Sequence, residues 1–142
     1  MGVIGLHIAD SLLVRGHEVA VVDSLSTGKR ENVSRQARFS EIDIRSGCKE
    51  DFEPEALSHQ VAQMDVMRWI REPHFDAEVN VLGTIGLLRY CVEHGVGNVV
   101  FASTGGAVYG EQGEFLTTED HPQYLLSSYE VSKLAAERYL YY

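Results

Sequence analysis

The sequence has 142 residues, enough for one domain with a real core and too few for two. With 44% hydrophobic and 23% charged residues, it has the composition of an ordinary globular protein. The net charge of −9 argues against a nucleic-acid partner, because phosphate backbones are gripped by clustered Lys and Arg; a small phosphate ligand needs only local amides and a cation or two.

Cys48 and Cys91 are too few for a disulfide framework, and no metal pattern such as CxxC or HExxH is present. No apolar run reaches the length of a membrane span and no charged-then-apolar leader opens the chain. The expectation is a reduced, soluble, cytoplasmic protein with no metal and no membrane partner.

In chain order, residues 6–15 place Ile8, Leu12 and Leu13 at helical spacing, and Gly16 closes that helix. Residues 17–23 (HEVAVVD) form a short β-branched run that predicts a strand buried on both faces. Turn chemistry follows, then predicted strands at 38–44 and 55–61. Residues 75–94 are the clearest helix, with Val81, Ile85, Leu88 and Val92 on one face and Gly95 as its stop. Residues 98–103 (NVVFAS) read as another buried strand, followed by a long loop and a last helix from about Ser127.

Alternating strands and helices predict an α/β, Rossmann-like doubly wound parallel sheet. The first element is a helix preceded by glycines, where a strand should hand over to it. In the strand order 3-2-1-4-5-6 that strand lies near the middle. The pattern therefore predicts an incomplete sheet with a gap between neighbours, in a chain that begins too late.

Gly2-Val3-Ile4-Gly5 precedes the first helix, so its backbone N–H groups can face a pyrophosphate. Only the last two glycines of a GxxGxxG fingerprint are present, and by themselves two such glycines are more often just flexible chain. Asp23 ends a strand roughly 20 residues later, where an acid receives ribose hydroxyls and disfavours the 2′-phosphate of NADP; otherwise it opens a turn. Tyr129 and Lys133 in SSYEVSK share a helix face. The ammonium, with an oxidised nicotinamide, would lower the phenol's pKa from about 10 toward neutrality. A tyrosinate can then take a proton from a sugar hydroxyl while hydride leaves the same carbon. In isolation the pair is also compatible with a surface aromatic and a solvated lysine. Ser103 and Thr104 in FASTGGAVYG end a strand where open α/β sheets bind ligands, although such hydroxyls also cap Gly-rich turns.

Together, FASTGGAVYG, TTEDHP and SYEVSKLAAERYL resemble the active-site half of the NAD-dependent epimerase/dehydratase family, within the extended short-chain dehydrogenases and nearest the UDP-glucose 4-epimerase group. GVIGLHIADSLLVRGHEVAVVDSLSTGKREN is similar to that family's cofactor-binding start without its first strand and first glycine. The resemblance covers nearly the whole chain. It implies NAD as cofactor, a UDP-sugar as substrate, and inversion of a sugar hydroxyl through a 4-keto intermediate.

By that resemblance Tyr129 is the base, and Lys133 tunes it and holds the nicotinamide ribose. Thr104 or Ser103 assists proton transfer, the match being ambiguous by one residue. Gly2, Ile4 and Gly5 line the pyrophosphate; Asp23, Ser24 and Thr27 meet the adenosine ribose; Asp43 and Ile44 flank the adenine. Residues 59–63 (HQVAQ) match an HxAAQ segment that brings Ala62 and Gln63 beside the cofactor, and Asn80 braces the site. A homodimer through helices 75–94 and 127–142 is also implied.

The chain departs from the pattern at Val61, Trp69, Ser128 and Glu130, and between Asp43 and His59 it is about one helical turn short. Beyond Tyr142 the sugar-binding lobe of the family has no counterpart. The expectation is one partial NAD-binding domain over 1–142, with little activity alone. Two other readings stay open. A sibling dehydratase or decarboxylase is disfavoured by Gly105-Gly106, where a dehydratase carries an Asp-Glu pair after the threonine. A non-catalytic nucleotide-binding fragment is separated by testing NAD binding.

Overall fold

The computed structural model describes residues 2–48, 52–110, 113 and 116–142. Helix α1 spans Val3–Val14, beginning at Val3 rather than at Leu6. It ends as the sequence predicts: Gly16, at φ +85°, donates to Leu13 O at 2.9 Å, and His17 N reaches back to Leu12 O at 3.1 Å. Only glycine adopts that left-handed step without strain. The helix buries Ala9 against Val21, Val33 and Ala37, with Leu13, Val19 and Phe39 around them.

Strand β1 (Ala20–Asp23) pairs in parallel with β2 (Arg38–Glu41), Ala20 opposite Arg38 and Asp23 opposite Glu41. Strand β3 (Ala56–His59) pairs in parallel with β4 (Asn98–Phe101), setting His59 opposite Phe101. Each strand is shorter than its apolar run. The two pairs are separate, with no strand joining them among the described residues, which is the divided sheet that the strand-order argument predicts. Positions 49–51, within the segment expected to be shortened, lie outside the described residues.

Burial on both faces of the strands is not observed. In β1 only Val21 is fully buried, and Val100 of β4 is 63% exposed. Each pair is covered on one side by its helices, so the outer β-branched side chains keep contact with solvent.

The long helix is also different from its periodicity. Helix α3 (Pro73–Ala77) runs through a π-helical turn, Glu78–Gly83, into α4 (Thr84–Glu93). The face turned inward carries Asp76, Asn80, Thr84, Leu87 and Cys91, while Leu82 and Val92 are 62% and 83% exposed. Of the apolar stripe assigned to the core, Val81, Ile85 and Leu88 are half-buried and only Val92 is exposed, so that stripe flanks the buried face. The polar stripe is inside because partners across the interface accept its hydrogen bonds, which periodicity does not register.

Gly83 lets this turn approach the 3-10 turn Ile44–Ser46: a Cβ there would stand 2.7 Å from Ile44 Cδ1 and Cγ1. Two further elements were not predicted, α2 (Val66–Arg71), capped by Asp65, and the single helical turn α5 (Gly105–Val108). The last helix, α6, spans Ser128–Tyr141.

Candidate active site

The start of α6 is locked by a capping box. Glu130 N donates to Ser127 Oγ at 3.2 Å, and Glu130 Oε2 accepts from Ser127 N at 3.2 Å. Tyr129 is thereby held in the first turn, with Lys133 one turn further on. Lys133 is 2% exposed, and its Nζ lies 4.2 Å from the centre of the Phe101 ring at the end of β4. The Tyr129 ring packs on Trp69 of α2 at 5.3 Å, and Ser128 Oγ donates to Trp69 O at 3.2 Å.

The two hydroxyls after β4 part company. Thr104 stands beside the Tyr129 phenol and favours its ionised form. Ser103 donates to the Glu137 carboxylate, two turns along α6 from the tyrosine.

Behind this pair, Asn80 joins three elements. Its Oδ1 accepts from Gln63 N at 2.8 Å, and its Nδ2 donates to Gln63 O at 3.0 Å and to Asp76 Oδ1 at 2.9 Å. Ser132 Oγ stands 3.3 Å from the same nitrogen. The single Ser132 proton is aimed at Tyr129 O, 3.0 Å away, rather than at the neighbouring Asp76 carboxyl, and Asp76 Oδ2 is buried without a hydrogen bond. Thr84 Oγ1 donates to Asn80 O at 2.7 Å, so it can only accept from His59 Nε2 at 2.9 Å. The network thus assigns the Nε2–H tautomer to His59 and leaves its buried Nδ1 as a bare acceptor.

Burial dominates the electrostatics. It lowers Lys133 to about 8, against the pull of Glu137 and Asp76 toward the charged form. It lowers His59 to about 4, with Lys133 adding to the effect. Asp76 is pushed up by burial and held back by Ser132, Asn80 and Lys133. Tyr129 is also pushed up, by burial and then by the Asp76 charge, against the opposing pull of Thr104. The Lys133 ammonium lies over the Phe101 ring, and the charge that acts on the phenol is that of Asp76.

The residues expected around a cofactor fall along the C-terminal ends of the strands and the start of α1. Gly2 caps α1 in an extended conformation, and Ile4 and Gly5 lie inside its first turn, not in a preceding loop. The amides of Val3, Ile4 and Gly5 precede the first helical hydrogen bond, Leu6 N to Gly2 O. Asp23 ends β1, its Oδ1 accepting from Leu25 N at 2.8 Å and supporting Leu25 at φ +54°. Ser24 and Thr27 are exposed in the turn that follows.

Asp43 is gripped by Arg45, with Nη2 2.6 Å from Oδ2, which holds its carboxyl below the usual range. Ile44 is buried against Gly83. Ala62 and Gln63 are half-buried, and the Gln63 side chain is spent on the Asp65 backbone.

Asp76, Thr84, Ser132 and Glu137 were not singled out from sequence. Asp76, Asn80 and Thr84 do recur at intervals of four, a stripe that ordinarily reads as a solvated helix face. Among the described residues, no group of three or more His, Cys, Asp or Glu could hold a metal ion, and no helix is long and apolar enough to cross a membrane.

The parallel α/β architecture, the N-terminal turn of α1 and the tyrosine–lysine helix define a dinucleotide-type scaffold. Residues 1–142 match the family described as NAD dependent epimerase/dehydratase, and the chain belongs to that family. The UDP-glucose 4-epimerase of Mycolicibacterium smegmatis is 40% identical over 148 residues, covering 98% of this chain and 47% of that protein. The crystal structure of the Thermus thermophilus UDP-glucose 4-epimerase with NAD is 45% identical with a TM-score of 0.90, covering 99% of this chain and 47% of the other. That of the Thermotoga maritima UDP-glucose 4-epimerase with UDP-glucose is 38% identical with a TM-score of 0.91, at the same coverages. The chain therefore spans about half the length of the relatives it matches.

Proposed function

We propose that the chain is the cofactor-binding and proton-transfer half of an NAD-dependent nucleotide-sugar 4-epimerase acting on a UDP-sugar. The observation that carries this reading is Tyr129, beside Thr104, packed on Trp69 and one turn from a buried Lys133. Gly105 and Gly106 follow Thr104 with open space around both, which favours epimerisation over dehydration.

The residues fit NAD. The first turn of α1 offers free amides to a pyrophosphate around Gly2, Ile4 and Gly5, with no atom within 4 Å of where a Gly2 Cβ would be. Asp23, Ser24 and Thr27 would hold the adenosine ribose, where a carboxylate repels the extra phosphate of NADP. Asp43 and Ile44 would flank the adenine, Ala62 and Gln63 would border the cofactor, and Lys133 would hold the nicotinamide ribose. When bound there, NAD would supply the acceptor, and then the donor, for a hydride at sugar C4.

The chain's own part is the proton. Tyr129 takes it from the C4 hydroxyl as that carbon becomes a ketone, and gives it back when the hydride returns. Thr104 orients the phenol and the sugar oxygen, with Ser103 engaged by Glu137 instead. Asn80 fixes α3 and the Gln63 segment against α6, so that the phenol stays in register with the strand ends. The reading includes one NAD-binding unit over 1–142, a cytoplasmic location, and a homodimer through helices 75–94 and 127–142. Exposed Leu82, Val92, Val131 and Tyr139 on those helices favour the dimer.

Thermal unfolding with and without NAD tests the cofactor assignment. NAD at a hundred times its dissociation constant should add about 2.7 kcal/mol to the folded state, and Asp23→Ala should erase that gain. An NAD-indifferent transition would overturn the assignment. In the chain joined to the remaining half of its relatives, Tyr129→Phe should lose about a hundredfold or more in turnover while still binding NAD.

A further inference from the structure

Lys133 is 2% exposed on α6, and its ammonium rests on an aromatic face. Nζ stands 4.2 Å from the centre of the Phe101 ring, a separation at which a cation is drawn to the negative face of a π system. The two carboxylates that pull on Lys133 are tied to other groups. Glu137 accepts from Ser103, and Asp76 accepts from Asn80 Nδ2 at 2.9 Å. Phe101 is itself held in place. It is the last residue of β4, in register with His59 of β3, and the two rings lie 5.3 Å apart at 46°. His59 is fixed in turn by Thr84 Oγ1 at 2.9 Å, and it is uncharged near neutral pH, so it does not oppose the ammonium.

We infer that Phe101 is a positioning residue for Lys133: its ring face seats the ammonium at the C-terminal end of β4 and keeps it charged there. The inference rests on the epimerase reading only in giving Lys133 a cofactor to hold. An ammonium carries donors alone, and a carboxylate neighbour would claim some of them by directional hydrogen bonds. A ring face compensates the charge without an acceptor, so the N–H groups stay available to ribose hydroxyls beyond the strand end. The seat also works against burial, which draws Lys133 down to about 8. Other charged groups on the elements packed against α6 are committed elsewhere. Glu130 closes the capping box, Glu78 on the π turn meets Arg45, and Arg68 and Glu72 of α2 pair with each other at the surface.

The test reads Lys133 directly, by NMR titration of the 142-residue chain without NAD or sugar. The chain has three lysines, so isotope-labelled lysine gives few ε-carbon signals, and the one lost in Lys133→Arg belongs to Lys133. Phe101→Leu keeps an apolar side chain and removes the π face, so the Lys133 midpoint should fall by about one pH unit. Phe101→Tyr restores the face and should return the midpoint to its wild-type value. An unchanged or raised midpoint in Phe101→Leu, or an equal fall in both variants, would overturn the inference. Should Phe101→Leu fail to fold, pentafluorophenylalanine in place of Phe101 keeps the ring's shape and reverses its charge distribution. The midpoint should then fall by at least about one unit, and no fall would equally overturn the inference. Because neither NAD nor sugar is present, a negative result leaves the NAD-binding and Tyr129→Phe tests standing, and the reverse holds too.

Discussion

Replacing Asn80 with alanine removes the side chain that ties the Gln63 segment, α3 and α6 together. The Gln63 amide and carbonyl each lose a partner in a half-buried position, costing about 1 kcal/mol apiece. Asp76 Oδ1 loses its hydrogen bond where its other oxygen already has none, and for a charged acceptor that costs about 2 kcal/mol. The sum is about 4 kcal/mol, a large part of the roughly 5–15 kcal/mol by which a domain is typically stable. Urea unfolding followed by the fluorescence of Trp69, the sole tryptophan, reads the loss directly. With a slope of about 1.5 kcal/mol per molar, the midpoint should drop by about 2.5 M. Asn80→Asp makes a sharper comparison. It sets a second carboxylate beside Asp76, so its defect should be at least as large at neutral pH and should shrink as acid protonates one of the two. A loss below about 1 kcal/mol for Asn80→Ala would refute the reasoning, because water would then be replacing the amide at little cost.

Stability should also fall in mild acid because of His59. The unfolded chain takes up that proton near 6.5, whereas the folded ring resists until about 4, so stability is lost as pH falls through that window. At about 1.36 kcal/mol per unit the loss is about 3 kcal/mol, and urea curves of His59→Gln between those limits should show a flatter acid limb. Gly83→Ala sets a gain of about 1 kcal/mol in helix propensity against about 2 kcal/mol of overpacking on Ile44. The variant should be less stable by about 1 kcal/mol and bind NAD more weakly, as read by the thermal shift; a stabilised variant would show that Ile44 simply steps aside. In the completed chain, Thr104→Ala should cut turnover at least about tenfold, and Ser103→Ala should leave it nearly intact. The opposite ranking would reverse the assignment of the two hydroxyls.

By itself the sequence determined the local features of this protein. The glycine stop of α1, the run ending at Asp23, the turn-to-turn spacing of Tyr129 and Lys133 and the strand ahead of Thr104 all depend on residues within a few positions of each other. Even the break in the sheet followed from element order. Two caps went unread, Asp65 before α2 and the Ser127–Glu130 box, although each is a side chain bonded three residues on. The tertiary structure alone decided which hydroxyl meets the phenol, because β4 delivers Ser103 and Thr104 to opposite targets on α6. It alone turned the stripe of Asp76, Asn80 and Thr84 inward, against partners 17, 25 and 52 residues away in sequence. An apolar side chain gains from burial against any apolar neighbour, so its periodicity gives a first reading of the buried face, although Leu82 and Val92 stay exposed. A polar one is buried only where a distant segment supplies the complementary hydrogen bond or charge, and that is settled when the elements dock.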